Sequence, residues 1–175
     1  MEELAPKPLS GLKAAALIGG IAALVYFTTR QSLPKQALGG PAPALSMIDL
    51  SGQTATLEGL KGKTVLLNFW ATWCEPCQEE IPDLIALQKK YAAKGFTVVG
   101  VSMDTLGKST VADFAKKNNI NYPVWVGGGD NPPGYDVPGL PTSFLIDPKG
   151  RIISSYLGPR GEAEFARDIE TVLGN

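Results

Sequence analysis

The sequence predicts an α/β fold, a mixed central sheet with helices on both faces. Three observations carry this reading. Short, almost unbroken apolar runs, Thr64 to Trp70 and Phe96 to Met103, have the length and composition of strands covered on both sides. They alternate with longer segments whose apolar residues recur at helical spacing, such as Leu84, Leu87 and Tyr91. Clusters of Gly, Pro, Asp and Ser separate the segments.

In chain order, Leu45 to Asp49 and Thr54 to Leu57 flank Ser51-Gly52 and read as a β-hairpin. Gly59 to Lys63 is a turn, and Val65 to Trp70 is a central strand. A helix follows from Cys74 to Ala93. Pro82, which has no N–H to donate, should kink it, and Gly95 is suited to end it. Phe96 to Met103 is a second buried strand. Ser109 to Asn119 is a helix with Ser109 or Thr110 as its N-cap and Val111, Phe114 and Ala115 facing inward. Tyr122 to Val126 is a short strand and Gly127 to Pro138 a Gly/Pro-rich loop. Ser143 to Ile146 is a strand, and Asp147-Pro148-Lys149-Gly150 turns it into Arg151 to Leu157. Gly161 to Leu173 closes the chain as a helix. There is no internal repeat.

A chain of 175 residues is one domain with an appendage. The appendage is N-terminal. Residues 14–29, AAALIGGIAALVYFTT, carry no charge. As a helix they span about 24 Å, against a hydrocarbon core of about 30 Å. Extending back to Leu9 gives about 31 Å and adds only Lys13, whose stem can snorkel. Tyr26 and Phe27 suit an interfacial aromatic anchor. The reading preferred is a transmembrane signal-anchor, over a cleaved signal peptide or a buried helix of the fold. The division expected is therefore 1–13 as a short N-terminal segment, 14–29 as the anchor, 30–44 as a Pro/Gly/Ala-rich linker and 45–175 as the folded domain. Lys7 and Lys13 before the span nearly balance Arg30 and Lys35 after it, so orientation is weakly encoded. Thiol chemistry on an anchored domain favours the side outside the cytoplasm.

A formal net charge of −1 gives no footprint for nucleic acid. The absence of histidine removes Cys-His and Ser-His-Asp nucleophile systems. The chemistry concentrates in Trp73-Cys74-Glu75-Pro76-Cys77, which holds the only two cysteines. A zinc site needs about four ligands, and a c-type haem site needs histidine where Gln78 stands. A structural disulfide ordinarily closes a longer loop. A C-x-x-C pair at a helix N-terminus, where free N–H groups and the helix dipole stabilise a thiolate, points to dithiol–disulfide exchange.

With these residues in hand, the chain resembles the thioredoxin superfamily. Phe69-Trp70-Ala71-Thr72-Trp73-Cys74-Glu75-Pro76-Cys77 matches its active-site signature. Val137-Pro138-Gly139-Leu140-Pro141-Thr142 matches the loop carrying its cis-proline. The resemblance covers residues 45–174. Asn68 stands where thioredoxin has a buried aspartate, and Asp104 to Leu140 leaves room for an additional helix and strand. Cys-Glu-Pro-Cys followed by Gln78-Glu79-Glu80-Ile81-Pro82 is similar to the membrane-anchored ResA/TlpA group. Peroxiredoxin-like proteins share the enlarged fold, but Leu67 and Ala71 occupy the positions of their peroxidatic Pro and Thr or Ser.

The resemblance implies a thioredoxin-like fold with an N-terminal β-hairpin and an extra helix-strand insertion, behind one transmembrane helix. It implies an extracytoplasmic thiol-disulfide oxidoreductase, single-pass in the bacterial cytoplasmic membrane, reducing protein disulfides in cytochrome c maturation. The alternatives are a reductant or metallochaperone-like factor for copper-protein assembly and, against Glu75 and the family pattern, a disulfide-forming oxidant. Partners would be apocytochrome c or a copper-site protein as substrate and a membrane dithiol carrier as electron donor, with no cofactor and no resident metal. Cys74 would be the attacking thiolate and Cys77 the resolving thiol of a redox disulfide. Trp73 and Pro76 would shape the rim. Glu75 either opposes the helix dipole, favouring the reducing direction, or is a solvated charge. Glu80, three residues after Cys77 and so on its helix face, is the candidate proton carrier. Pro141, if cis, would set the Leu140 backbone beside the disulfide to pair with an extended substrate.

Overall fold

The computed structural model describes residues 38–174. Residues 14–29, expected to cross a membrane, lie outside them, as do 1–13 and the first part of the linker. Among the described residues no helix is long and apolar enough to cross a membrane. The chain order is β1 (Ser46–Asp49), β2 (Thr54–Thr56), a 3₁₀ turn (Glu58–Leu60), β3 (Thr64–Trp70), α1 (Glu75–Tyr91), a second 3₁₀ turn (Ala92–Lys94), β4 (Phe96–Ser102), α2 (Lys108–Lys117), β5 (Val124–Val126), β6 (Thr142–Ile146), β7 (Ile152–Leu157) and α3 (Glu162–Leu173).

The unbroken apolar runs become the middle of the sheet. Both β3 and β4 are buried at every residue, and they pair in parallel from Thr64↔Phe96 to Trp70↔Ser102. Seven strands follow the order β2-β1-β5-β4-β3-β6-β7. β5 continues the parallel set beside β4, while β6 runs antiparallel to β3 and pairs Phe69 with Thr142. The β1–β2 hairpin adds an antiparallel edge to β5, so the sheet is mixed as expected. The additional helix and strand are α2 and β5.

Alternation along β3 divides the core. Leu66 and Trp70 join one apolar cluster, and Val65, Leu67 and Phe69 the other. The first cluster takes buried residues of all three described helices: Leu84 and Leu87 from α1, Val111 from α2, and Phe165 and Ile169 from α3. The expectation of helices on both faces is therefore corrected: among the described residues the α-helices cover one face. The second face is closed by Leu45, Leu57 and Leu60 around the hairpin and by Tyr135 and Val137 from the Gly/Pro-rich loop. These side chains already remove Phe69, Phe144 and Ile146 from water, so no helix is required there. Each large side chain so buried is worth about 1.5–3 kcal/mol.

Local differences from the expected elements have simple causes. α2 begins at Lys108 behind Gly107, whose φ of 87° suits glycine, so Ser109 and Thr110 fall inside the first turn and neither is the N-cap. β5 begins at Val124 because Pro123 has no N–H for the ladder; its carbonyl still accepts from Gly100 N. α1 runs on through Pro82, which is exposed. Gly100 is required by packing: a Cβ there would lie 2.8 Å from Trp70 Nε1 and 3.2 Å from Tyr122 Cε2.

Candidate active site

The site forms where β3 ends. Met103 N donates to Trp70 O at 2.7 Å, and Cys74 N donates back to Ala71 O at 3.2 Å, closing a turn over Ala71–Cys74. Cys74 is the N-cap of α1 in an extended conformation (φ −88°, ψ 103°), with Pro76 in the first turn, where a missing N–H costs nothing. Its Sγ accepts from Cys77 N at 3.3 Å, and its carbonyl accepts from Gln78 N. Cys74 and Cys77 are joined as a disulfide. Cys74 is 6% exposed and Cys77 1%, so Cys74 is the less buried residue of the two. Trp73 is 66% exposed beside it, and Glu75 and Pro76 are also exposed.

Glu80 lies inward of Cys77 on the same helix face and is 2% exposed. Its Oε2 accepts from Asn68 Nδ2 at 3.0 Å, and its Oε1 accepts from Arg160 N at 3.0 Å. Asn68 Nδ2 also donates to Ser143 Oγ at 2.9 Å. One amide thus joins β3, α1 and β6. Burial pushes the Glu80 carboxyl up from 4.5 to about 7; the bonds from Arg160 and Asn68 pull it back, and Asp83 adds a smaller upward push. Tyr122 shares this cluster, and burial raises its phenol, with the Glu80 charge contributing.

The peptide bond between Leu140 and Pro141 is cis. Pro141 is buried, and half-buried Leu140 packs against both apolar clusters. Pro141 O accepts from Gly158 N at 2.9 Å. The β7–α3 connection therefore holds two parts of the site, Pro141 through Gly158 and Glu80 through Arg160.

The structure thus brings Cys74, Cys77 and Glu80 together on the first turns of α1, with Trp73, Glu75 and Pro76 on the open side. Three contributors were not singled out in the sequence. Ser143 and Arg160 act through a partner 75 residues away and through a main-chain N–H, neither of which leaves a local pattern. Asp104, just beyond β4, is 1% exposed and accepts from Thr72 N at 3.0 Å, from Thr72 Oγ1 and from Ser102 Oγ at 2.6 Å. A cavity of about 450 Å³ lies apart from the disulfide, lined by Pro43, Leu57, Lys61 and Lys149 among others.

Chemically, a closed disulfide with one sulfur at a helix N-terminus is built for attack by a thiolate and, once reduced, for attack on another disulfide. A buried carboxyl that titrates near neutrality can hold or release a proton during that exchange.

Comparison with known proteins agrees. The Redoxin family model matches residues 37–173. The thiol-disulfide oxidoreductase ResA of Bacillus cereus (strain ZK / E33L) is 36% identical over 150 residues, covering 85% of this chain and 86% of the relative. The thioredoxin-like protein YneN of Bacillus subtilis (strain 168) is 34% identical over 166 residues, covering 94% and 97%. Among solved structures, the thioredoxin domain of a thiol-disulfide oxidoreductase from Bacteroides vulgatus superposes with a TM-score of 0.70 at 31% identity, covering 81% of this chain and 99% of that one. With a thioredoxin-like sheet, a Cys74–Cys77 pair at a helix N-terminus and relatives of this kind, the chain belongs to the Redoxin family, as a ResA/TlpA-like thiol-disulfide oxidoreductase of the thioredoxin superfamily.

Proposed function

We propose that this oxidoreductase is an extracytoplasmic dithiol reductant of protein disulfides, acting on apocytochrome c before haem attachment. One observation carries the reading: a buried carboxyl, Glu80, poised near neutral pH, stands three residues after Cys77 on the helix that opens at the Cys74–Cys77 pair. The relatives named ResA support it, as does the apolar, uncharged stretch 14–29, which would hold the domain at the bacterial cytoplasmic membrane with its catalytic face outside.

In the reduced protein, the Cys74 thiolate attacks one sulfur of the substrate disulfide. A Cys74–substrate disulfide forms, and the other substrate sulfur leaves as a thiolate and takes a proton. Cys77 then gives its proton to the Glu80 carboxylate and attacks Cys74 Sγ. The Cys74–Cys77 disulfide forms, the second substrate thiolate leaves, and Glu80 returns the proton. Two electrons pass to the substrate, and a membrane dithiol carrier restores the pair. Trp73 and the Leu140 main chain beside Pro141 would hold the substrate strand against Cys74.

The test is direct. The reduced protein is mixed with apocytochrome c whose haem-binding cysteines are disulfide-bonded, and free substrate thiols are counted with time. Stoichiometric appearance of two thiols per disulfide is expected. Failure to reduce, with faster formation of disulfides in reduced substrate by the oxidised protein, would overturn the proposal.

A further inference from the structure

We infer that Asp104 is a positioning residue that sets the redox poise of Cys74 by placing a buried negative charge against the turn that carries it. The inference rests on Cys74 being the attacking thiol, as proposed above. It concerns a group on a different element from Glu80.

Asp104 is 1% exposed, and among the described residues it has no ion-pair partner. Burying a carboxylate without a cation is costly unless hydrogen bonds replace the lost water. The donors come from two places. Ser102 Oγ, at the end of β4, donates at 2.6 Å. Thr72 donates through both its main-chain N, at 3.0 and 3.2 Å to the two oxygens, and its hydroxyl. Thr72 is the second residue of the turn closed by Cys74 N and Ala71 O, so the Cα atoms at the ends of that turn lie within about 7 Å. Thr72 O is in turn held by Gln78 Nε2 at 2.7 Å, which ties the turn to the first turn of α1. The carboxylate therefore fixes the turn from which Cys74 emerges, through the residue two places before it.

The other titratable groups named at the site lie on other elements or in other surroundings. Glu75 and Glu80 lie on its own helix, Glu75 in water and Glu80 against Arg160 of the β7–α3 connection. Tyr122, from the approach to β5, is kept neutral by burial. Asp104 is the charge contributed by the end of β4. A negative charge disfavours the Cys74 thiolate. The reduced form is destabilised relative to the disulfide, and the pair becomes more reducing. In general, one unit charge acting across a distance on the order of 10 Å at an effective dielectric near 20 is worth about a tenfold change in such an equilibrium.

Two substitutions in the full chain separate charge from bracing. Asp104→Asn keeps the shape and removes the charge; the hydroxyls of Thr72 and Ser102 can rotate to meet the new amide. Thr72→Val keeps the charge and removes one of its donors, leaving it less compensated. The reduced proteins are alkylated with iodoacetamide as a function of pH, and each is equilibrated with glutathione. Asp104→Asn should move the alkylation midpoint down and shift the glutathione equilibrium about tenfold towards the dithiol, about 30 mV. Thr72→Val should move both the other way. Shifts in the same direction for both variants, or values within twofold of wild type for Asp104→Asn, would overturn the inference. If Asp104→Asn does not fold, Thr72→Val decides alone, an unchanged or lowered midpoint overturning it. Wild type, carried through the same measurement, separates the two proposals: an oxidising wild-type pair refutes the reductant reading, whereas a reducing one with unmoved variants refutes only the role of Asp104.

Discussion

Replacing Glu80 by Gln should make the stability of the oxidised protein less dependent on pH, with a sign and size that follow from the site. In the folded protein the carboxyl is 2% exposed and raised from 4.5 to about 7, chiefly by burial. Between those values the folded chain keeps a proton that the unfolded chain has lost. The stability that this proton contributes is complete below about 4.5 and is lost as pH rises through about 7. At about 1.4 kcal/mol per pH unit the interval is worth about 3 kcal/mol, of which about 2–3 kcal/mol falls between pH 5 and pH 8. Glu80→Gln has a side chain close in shape to the protonated acid, and it cannot ionise. Urea unfolding of both proteins at about pH 5 and pH 8 gives the comparison. The variant should gain on wild type by about 2–3 kcal/mol across that range. A difference between the two that is the same at both pH values would refute the assignment of a buried, neutral-range carboxyl to Glu80.

Other substitutions test the neighbouring contacts. Asn68→Ala removes the donor to both Glu80 and Ser143 and should cost about 1–3 kcal/mol. It should also raise the Glu80 carboxyl further, because a bond that pulls it down is gone; unfolding at several pH values and titration of the site read the two effects. Cys77→Ser should trap a Cys74–substrate disulfide visible by mass spectrometry, whereas Cys74→Ser should trap none. Gly100→Ala forces a methyl towards Trp70 Nε1 at 2.8 Å and should cost about 1–3 kcal/mol, read as a lowered denaturation midpoint with the exchange chemistry retained.

The parts legible in the sequence are those whose cause is local. β3 and β4 are covered on both faces, so their residues are apolar without alternation and stand out as runs. Cys74 could be placed at a helix start because a strand ends four residues before it and Pro76 suits a first turn. Glu80 could be set beside Cys77 because helical spacing puts residues three apart on one face. What was not legible depends on distant partners. An amphipathic stripe says that a helix has a buried side but not which side of the sheet it covers, and α2 joined α1 and α3 where both faces were expected to carry helices. The second face is closed instead by irregular segments around Leu45 and Tyr135, which carry no periodic signal. Asn68 could be recognised as replacing an acid, but its bridge from Glu80 to Ser143 appears only when β6 is laid beside β3. In the sequence Asp104 is only the first residue of the stretch that leaves room for an additional helix and strand. Its function as acceptor for Thr72 follows from the parallel pairing of β3 with β4, which brings the two strand ends side by side.

The measurement that bears most directly on the proposed function is the reduction potential of the Cys74–Cys77 pair, obtained by equilibrating the protein with thiol–disulfide buffers of known poise and counting its free thiols. A dedicated reductant predicts a value near or below that of thioredoxin, about −270 mV. A value near about −120 mV, where strong disulfide donors lie, would contradict it and make the protein a source of disulfides rather than a sink for them.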